Sequence, residues 1–198
     1  MDTARRQTNE RFIIRQKTTL VINRYVVTES LPDGSEGRVV AFAEQKRMAL
    51  KEQMTFYTDE SKGRVLFTAK ARQVLDVGAV YDVRDAMDNH LGTFRKKFAA
   101  SLLRSTWELD QLDSVGAVGR ERNLLVAGLR RVWELLPLDF VPFMWPYHFD
   151  FTSGDKAVMS VDKKIGLRDR YLLDVASPEL DRRLAIAQAV ALDSFQSR

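Results

Sequence analysis

The chain contains no cysteine, which excludes disulfide bonds and thiolate metal sites from its fold and its chemistry. It has only two histidines, His90 and His148, which lie in different predicted hairpins. A metal site would therefore have to depend on carboxylates, and neither a metal nor a cofactor is predicted. The G-x-S-x-G, P-loop, G-x-G-x-x-G and H-E-x-x-H motifs are also missing. These absences favour a protein that is not an enzyme.

Long apolar runs are missing too. No stretch of about 18 apolar residues occurs, so no transmembrane helix is predicted. The first ten residues are polar, lack the apolar region of a signal peptide, and are expected to be flexible. With the absence of cysteine, this pattern predicts a cytoplasmic protein. One domain over residues 11–196 accounts for the remaining chain.

The balance of charge is mildly basic, with a formal net charge of +4 and a pI of about 9.4. Such a balance is compatible with anionic partners, although it also serves solubility alone. Single-stranded nucleic acid would require aromatic side chains on an exposed basic face. The aromatic residues of the predicted strands instead alternate as inward-facing residues do, so no nucleic-acid partner is expected. These residues are Tyr57, Phe67, Tyr81, Phe94 and Trp107.

From Phe12 to Ala176 the sequence consists mainly of short runs in which apolar and polar residues alternate, separated by turn residues. This pattern is typical of an all-β protein. The runs predict hairpins whose first strand contains an aromatic residue and whose second strand ends in a base. Two stretches, 80–110 and 147–175, resemble copies of one three-strand unit, although unrelated hairpins would alternate in a similar way. The predicted strands are 21–28, 38–44, 54–58, 64–70, 80–85, 91–97, 102–109, 147–151, 156–164 and 166–175.

Residues 111–146 differ in kind and are predicted to be an insert. Residues 111–119 are predicted to form a loop, a helix is predicted at about 119–136, and an aromatic segment with three prolines follows. Two interpretations remain open: the insert packs over one end of the strands, or it contacts a membrane interface or a protein partner. The contact candidates are Arg130, Arg131, Trp133, Phe143, Met144 and Trp145.

The C-terminal segment predicts a buried helix over residues 178–196. Ser177 is placed as the N-cap, Pro178 as the first helical residue, and Glu179 and Asp181 in the first turn. Apolar residues occupy all positions from 184 to 192 except Gln188, so the helix is apolar all round and must be buried all round. Its nineteen residues would span roughly 28 Å, which matches the height of a barrel large enough to enclose a helix.

Basic residues recur where the return strands end. If the strands stand side by side, these charges gather on one side and would attract phosphate-rich surfaces. The alternative is that they are solvated strand ends. The candidates for lipid or phosphate binding are Lys46, Arg47, Arg72, Arg95, Lys96, Lys97, Lys163 and Lys164.

The chain resembles the LURP-one-related family, which belongs with phospholipid scramblases and the tubby C-terminal domain. The resemblance rests on FIIRQK at 12–17, on the hairpins at 56–76 and 80–97, and on LLRSTWEL at 102–109. YHFDF at 147–151, KKIGLRDRYLLDV at 163–175 and the apolar C-terminal helix resemble the second half of bacterial members. It covers about residues 11–196 but includes no catalytic motif.

This resemblance implies a mainly β protein: a closed antiparallel barrel of about twelve strands around the C-terminal helix. It also implies a role without catalysis, because tubby-type domains bind phosphoinositide headgroups through basic surface residues. The cysteine-rich segments of eukaryotic scramblases are absent, which argues against lipid scrambling itself.

The expected function is therefore the peripheral binding of anionic phospholipid or phosphoinositide headgroups at a membrane. The alternatives are a scaffold module that binds a protein partner through residues 120–146, and an enzyme or small-ligand binder with an internal cavity.

Overall fold

The computed structural model describes residues 11–18, 22–46, 53–73, 79–97, 105–112, 114, 116–122, 148–164 and 170–196. Within these residues, twelve antiparallel strands form a closed barrel around one α-helix, which confirms the predicted fold class. The strands are β1 (Arg11–Thr18), β2 (Ile22–Ser30), β3 (Glu36–Lys46), β4 (Gln53–Tyr57), β5 (Val65–Ala71), β6 (Val80–Asp85), β7 (His90–Lys97), β8 (Thr106–Gln111), β9 (Gly116–Glu121), β10 (His148–Ser153), β11 (Lys156–Lys164) and β12 (Arg170–Val175). The helix is α1 (Arg182–Gln196).

Each strand pairs with its neighbours in sequence, and β1 pairs with β12 to close the ring. Because consecutive strands are antiparallel, all odd-numbered strands run in the same direction. The barrel therefore has two distinct ends. The hairpin rim carries the turns β2–β3, β4–β5, β6–β7, β8–β9 and β10–β11. The far rim is the end at which the odd-numbered strands finish and the even-numbered strands begin.

Alternation of side chains along the strands fills the barrel with aromatic residues. Phe56 stacks on Phe67 across β4 and β5 with 4.2 Å between ring centroids, and Tyr81 stacks on Phe94 across β6 and β7 at 5.1 Å. These rings and Trp107 are buried, as the sequence predicts for Phe67, Tyr81, Phe94 and Trp107. Tyr57 is the exception. It pairs with Phe42, which lies outside the core cluster, and its side chain is only partly buried.

Three hairpins share a β-bulge at the same place. The register shifts directly after Phe56 in β4, Val83 in β6 and Phe151 in β10, and each of these residues is the fourth of its strand. A bulge adds one residue to one strand and sharpens its bend. The common position in β6 and β10 supports the hypothesis that 80–110 and 147–175 are copies of one unit, and β4 shares the same bulge.

Helix α1 occupies the interior of the barrel. Every residue from Leu184 to Leu192 is at most 4% exposed, Gln188 included, which confirms that the helix is surrounded. At the hairpin rim, the backbone N–H of Asp181 donates to Oε1 of Gln111 over 2.6 Å. Toward the far rim, the carboxylate of Asp193 accepts hydrogen bonds from Tyr25 and Tyr171.

The helix starts four residues later than the sequence predicts. Asp181 is the N-cap, since its Oδ1 accepts the backbone N–H of Arg183 over 2.8 Å, and the first helical hydrogen bond runs from Ala185 N to the carbonyl oxygen of Asp181. The placement of Ser177 as N-cap and of Pro178 and Glu179 in the helix is therefore wrong. Ser177 instead begins a turn, in which Leu180 N donates to its carbonyl oxygen.

Strand β9 lies where a loop and the start of a helix were predicted. Residues 116–121 pair with β8 and β10, so the insert between strands cannot begin at residue 111. The inward positions are held by Ala117, Gly119 and Glu121. A Cβ on Gly119 would lie 2.4 Å from the ring of Phe151, so the small residue is required by packing. Small residues and glycine do not produce the apolar alternation by which strands are predicted.

Two further predicted strands are only partly described. The strand predicted at 102–109 is present from Thr106, and the strand predicted at 166–175 is present from Arg170, while residues 102–104 and 166–169 lie outside the described residues. Residues 1–10, most of the predicted insert and its helix lie outside the described residues.

Candidate anion-binding rim

The topology brings the predicted basic residues to one end of the barrel. Strands β3, β5, β7 and β11 all finish at the far rim. Their basic residues within the described chain are Lys46, Arg72, Arg95, Lys96, Lys97, Lys163 and Lys164. Arg47 lies outside the described residues, as do the contact candidates Arg130, Arg131, Trp133, Phe143, Met144 and Trp145.

Further bases lie at the same rim. They belong partly to the even-numbered strands, which begin where the return strands end, and partly to the odd-numbered strands β1, β5 and β9. Apart from Lys70, which closes the predicted strand 64–70, these residues do not end a predicted return strand, but the alternating direction of the strands is a signal that could have found them. These additional residues are Lys17, Arg24, Lys70, Arg120, Arg122 and Arg170.

The two ends of the barrel differ in charge. Each strand contributes its three residues nearest the far rim and the next residue beyond the strand where that residue is described. Together these include thirteen Lys or Arg and six Asp or Glu, a net charge of +7. The same selection at the hairpin rim includes five basic and six acidic residues, a net charge of −1. Among the described strand residues, the positive charge is therefore concentrated at the far rim.

Several of the predicted bases are engaged with carboxylates on the outer wall. Arg72 donates two hydrogen bonds to Asp82, over 2.9 and 2.7 Å. Arg95 and Lys97 both pair with Glu108 across β7 and β8. Such exposed pairs contribute little to stability, about 0–1 kcal/mol each, and leave the cations accessible from the rim.

The pKa shifts agree with this geometry. The hydrogen bonds from Arg72 are the main cause that lowers the pKa of Asp82, and the same contact raises the pKa of Arg72. Burial acts to raise the pKa of Glu108, but the hydrogen bonds from Lys97 and Arg95 outweigh it, so that the pKa is lowered. These carboxylates are therefore ionised at neutral pH and partly neutralise the rim.

Lys163 and Lys96 come two residues after the inward-facing Val161 and Phe94, so they share the inner face of the sheet and lie at the mouth of the barrel. The ammonium of Lys163 lies 5.5 Å from the ring centroid of Tyr171, a distance at which cation–π attraction operates. Tyr171 in turn donates to Asp193 of the central helix. The mouth at β11 and β12 thus connects a rim cation to the helix through one tyrosine.

Amide side chains line the neighbouring part of the mouth. Gln16 donates to the hydroxyl of Tyr25 over 3.3 Å, and Asn23 donates to Gln45 over 3.4 Å. All four side chains are at most 9% exposed. Through Tyr25, which donates to Asp193, Gln16 is connected to the far end of the helix.

Both histidines contact carboxylates on the outer wall. His90 contacts Asp82 at 3.0 Å, and His148 contacts Asp162 at 2.8 Å. In the described part of the chain, no group of three or more His, Asp or Glu residues is arranged to hold a metal ion.

No described helix has both the length and the apolar character required to cross a membrane.

A closed twelve-stranded barrel around a buried C-terminal helix defines the class of protein. Comparison with protein families adds the particular family: residues 39–193 match the LURP-one-related family model. The chain therefore belongs to the LURP-one-related family. No curated protein matches the chain.

Proposed function

We propose that the protein is a non-enzymatic module that binds anionic phospholipid headgroups at a membrane surface through its far rim. The observation that carries this proposal is the difference in charge between the two ends of the barrel, +7 against −1. The resemblance to tubby-type domains implies that phosphoinositides are among the lipids bound.

The physical basis is the attraction of clustered bases to an anionic surface. A Lys or Arg close to such a surface contributes about 1 kcal/mol, and several acting together hold a peripheral protein. The attraction decays over about 8–10 Å at physiological ionic strength, so only bases at one end of the barrel act together. The far rim meets this condition, because its bases lie on adjacent strand ends of one ring.

The accessible bases are expected to contribute most. Lys164, Lys70 and Arg120 are exposed, whereas Arg72, Arg95 and Lys97 already have carboxylate partners that lipid phosphate must displace or share. The partnered residues therefore add less than their number suggests.

The test is co-flotation of the protein with vesicles of phosphatidylcholine alone or with phosphatidylserine or a phosphoinositide. Binding is expected only with anionic lipid at low salt, and to be weakened strongly at high salt. Absence of co-flotation at low salt overturns the proposal. Binding that is equal with neutral vesicles, or that requires a second protein, also contradicts it and favours the interaction-module alternative.

A further inference from the structure

The outer wall of β1, β2 and β3 carries a second apolar cluster. Ile13, Val26 and Phe42 are 1%, 4% and 2% exposed. They alternate with Ile14, Val27 and Ala43, which belong to the core around the helix, so their side chains lie on the opposite face of the sheet. Val26 pairs directly with Phe42, and Ile13 pairs with Thr28 two residues further along β2. Three apolar residues on the outer wall are therefore hidden from water.

The tip of the β2–β3 hairpin folds back over this wall. Arg15 pairs with Glu36 at 2.9 Å, and Nη2 of Arg170 donates to the carbonyl oxygen of Gly34 at 3.0 Å. In a straight hairpin these partners would be too far apart, because Arg15 lies opposite Val26, well along the strand from Glu36. Two register shifts, on either side of Thr28, supply the bend.

The tip of the β4–β5 hairpin reaches the same wall from the other side. Glu60 pairs with Lys17 of β1 at 2.8 Å, and Lys62 pairs with Glu44 of β3 at 2.7 Å. Lys62 adopts a left-handed backbone conformation with φ of 58°, which tightens the turn. Both tips are thus held over β1–β3 by polar contacts at their ends.

We infer that the patch formed by Ile13, Val26 and Phe42 is a second membrane-contacting surface, masked in this structure by the chain's own hairpin tips. This inference rests on the proposed function. The bases of the wall that hold the tips are Arg15, Lys17 and Arg170, and the latter two belong to the far rim, while Lys62 of the β4–β5 tip pairs with Glu44. An anionic membrane offers these bases phosphate groups in place of Glu36, Glu60 and the Gly34 carbonyl.

Apolar residues surrounded by bases are the composition that suits the interface of an anionic bilayer. The tips leave the wall only where phosphate groups are present to pair with the bases. The apolar patch is therefore exposed at an anionic membrane and stays covered in water. A ligand shifts such an equilibrium by its preference for one state, and here both the phosphates and the acyl region favour the open state.

The absence of native cysteine permits a direct test. In the Val26→Cys variant, the rate of thiol modification reports exposure of the outer wall. The Val161→Cys variant is the matched control, because Val161 is fully buried inside the barrel and reports global opening only. Vesicles containing phosphatidylserine are expected to accelerate modification of the Val26→Cys variant at least tenfold, with no change for Val161→Cys. Should Val26→Cys not fold, Ile13→Cys serves as the reporter.

Flotation of the same samples separates the two proposals. Bound protein whose Val26→Cys thiol stays protected overturns the masked surface and leaves lipid binding intact. Absence of flotation overturns lipid binding, and the masked surface with it. Equal acceleration of both thiols indicates unfolding at the membrane and also overturns the inference.

A second measurement needs no lipid. Replacing Arg15 and Arg170 by Gln removes the contacts that hold the β2–β3 tip, so modification of the Val26→Cys thiol is expected to accelerate severalfold. The matched control is Arg11→Gln, which breaks an ion pair with Asp174 on the same two strands without touching a hairpin tip. Equal rates in the two backgrounds overturn the role of the tips.

Discussion

The hydroxyl of Tyr171 joins the wall of the barrel to its central helix. It donates to Asp193, whose carboxylate is 2% exposed and also accepts from Tyr25 over 2.9 Å. A buried carboxylate that loses a hydrogen-bond donor costs about 1–3 kcal/mol. At this end of the helix, two tyrosine side chains inside the barrel hold Asp193.

Tyr171→Phe is therefore expected to lower the free energy of unfolding by about 1–3 kcal/mol, measured by denaturant titration. Tyr57→Phe is the matched control, because Tyr57 lies outside the core cluster and is only partly buried, and it is expected to change stability little. Equal stability of Tyr171→Phe and the wild type would show that Asp193 does not depend on this bond.

Asp82 gives the fold a defined sensitivity to acid. Its pKa is lowered mainly by hydrogen bonds from Arg72, so the ionised form is favoured in the folded state. A carboxyl with a depressed folded pKa contributes stability above its unfolded pKa of about 3.9, and that contribution is lost as pH falls through the folded value.

Asp82→Asn is expected to be less stable than the wild type at pH 7 and to lose less stability between about pH 4 and pH 2. Unfolding free energies measured across this range test the prediction. Asp155→Asn, in the exposed β10–β11 turn, serves as the control and should follow the wild-type profile. Parallel profiles for Asp82→Asn and the wild type contradict the assigned role.

These residue-scale pairings could not be predicted from the sequence. The acidic and basic residues at strand ends are visible there, but Arg72 with Asp82 and Arg122 with Asp150 become partners only through the cross-strand register. Register depends on bulges such as the one after Val83, which leave no clear trace in the pattern of apolar residues.

At the scale of single elements, the residue composition of a strand or helix end decides whether the sequence predicts it. Strands with aromatic or β-branched residues, such as β6 and β10, were predicted within a residue or two. Strand β9 was missed because its inward positions hold Ala117, Gly119 and Glu121. The helix was predicted but its start was not, since Ser177 and Pro178 resemble a helix N-terminus while Asp181 provides the actual cap.

The missed strand yields a test of packing. Gly119→Ala would place a Cβ 2.4 Å from the ring of Phe151, and overpacking of this kind costs about 1–3 kcal/mol. A corresponding decrease in the unfolding free energy is expected. Gly63→Ala is the control, because its nearest neighbour is the Ser61 hydroxyl at 3.5 Å. A stable Gly119→Ala variant would mean that Phe151 moves away without cost.

Helix α1 forms the centre of the hydrophobic core, so the barrel is expected to depend on it for folding. Ile186→Asp places a charge where the wild-type side chain is 4% exposed, and the protein is expected not to fold. Val39→Asp, the same change at a 43% exposed position of β3, is expected to leave a soluble folded protein. Circular dichroism and yield of soluble protein are the measurements. A folded barrel truncated after Ala176 would contradict this role of the helix.

At the scale of the whole molecule, the direction of the strands determines that the basic residues lie at one end of the barrel. In sequence they are scattered from Lys17 to Arg170, and the modest net charge of +4 gives no hint of polarity. The closed ring of alternating strands collects them at the far rim and leaves the hairpin rim slightly negative. A barrel of this kind is expected to approach an anionic surface with the far rim first.

The central claim is tested most directly by matched charge reversals at the two ends. Arg120→Glu with Lys164→Glu alters exposed residues of the far rim, and Arg64→Glu with Lys156→Glu alters exposed residues of the hairpin rim, so both variants have the same net charge. Binding to phosphatidylserine vesicles at low salt is expected to fall by more than about tenfold for the far-rim variant and to change little for the other. Equal loss in both variants, or loss confined to the hairpin-rim variant, would contradict binding through the far rim.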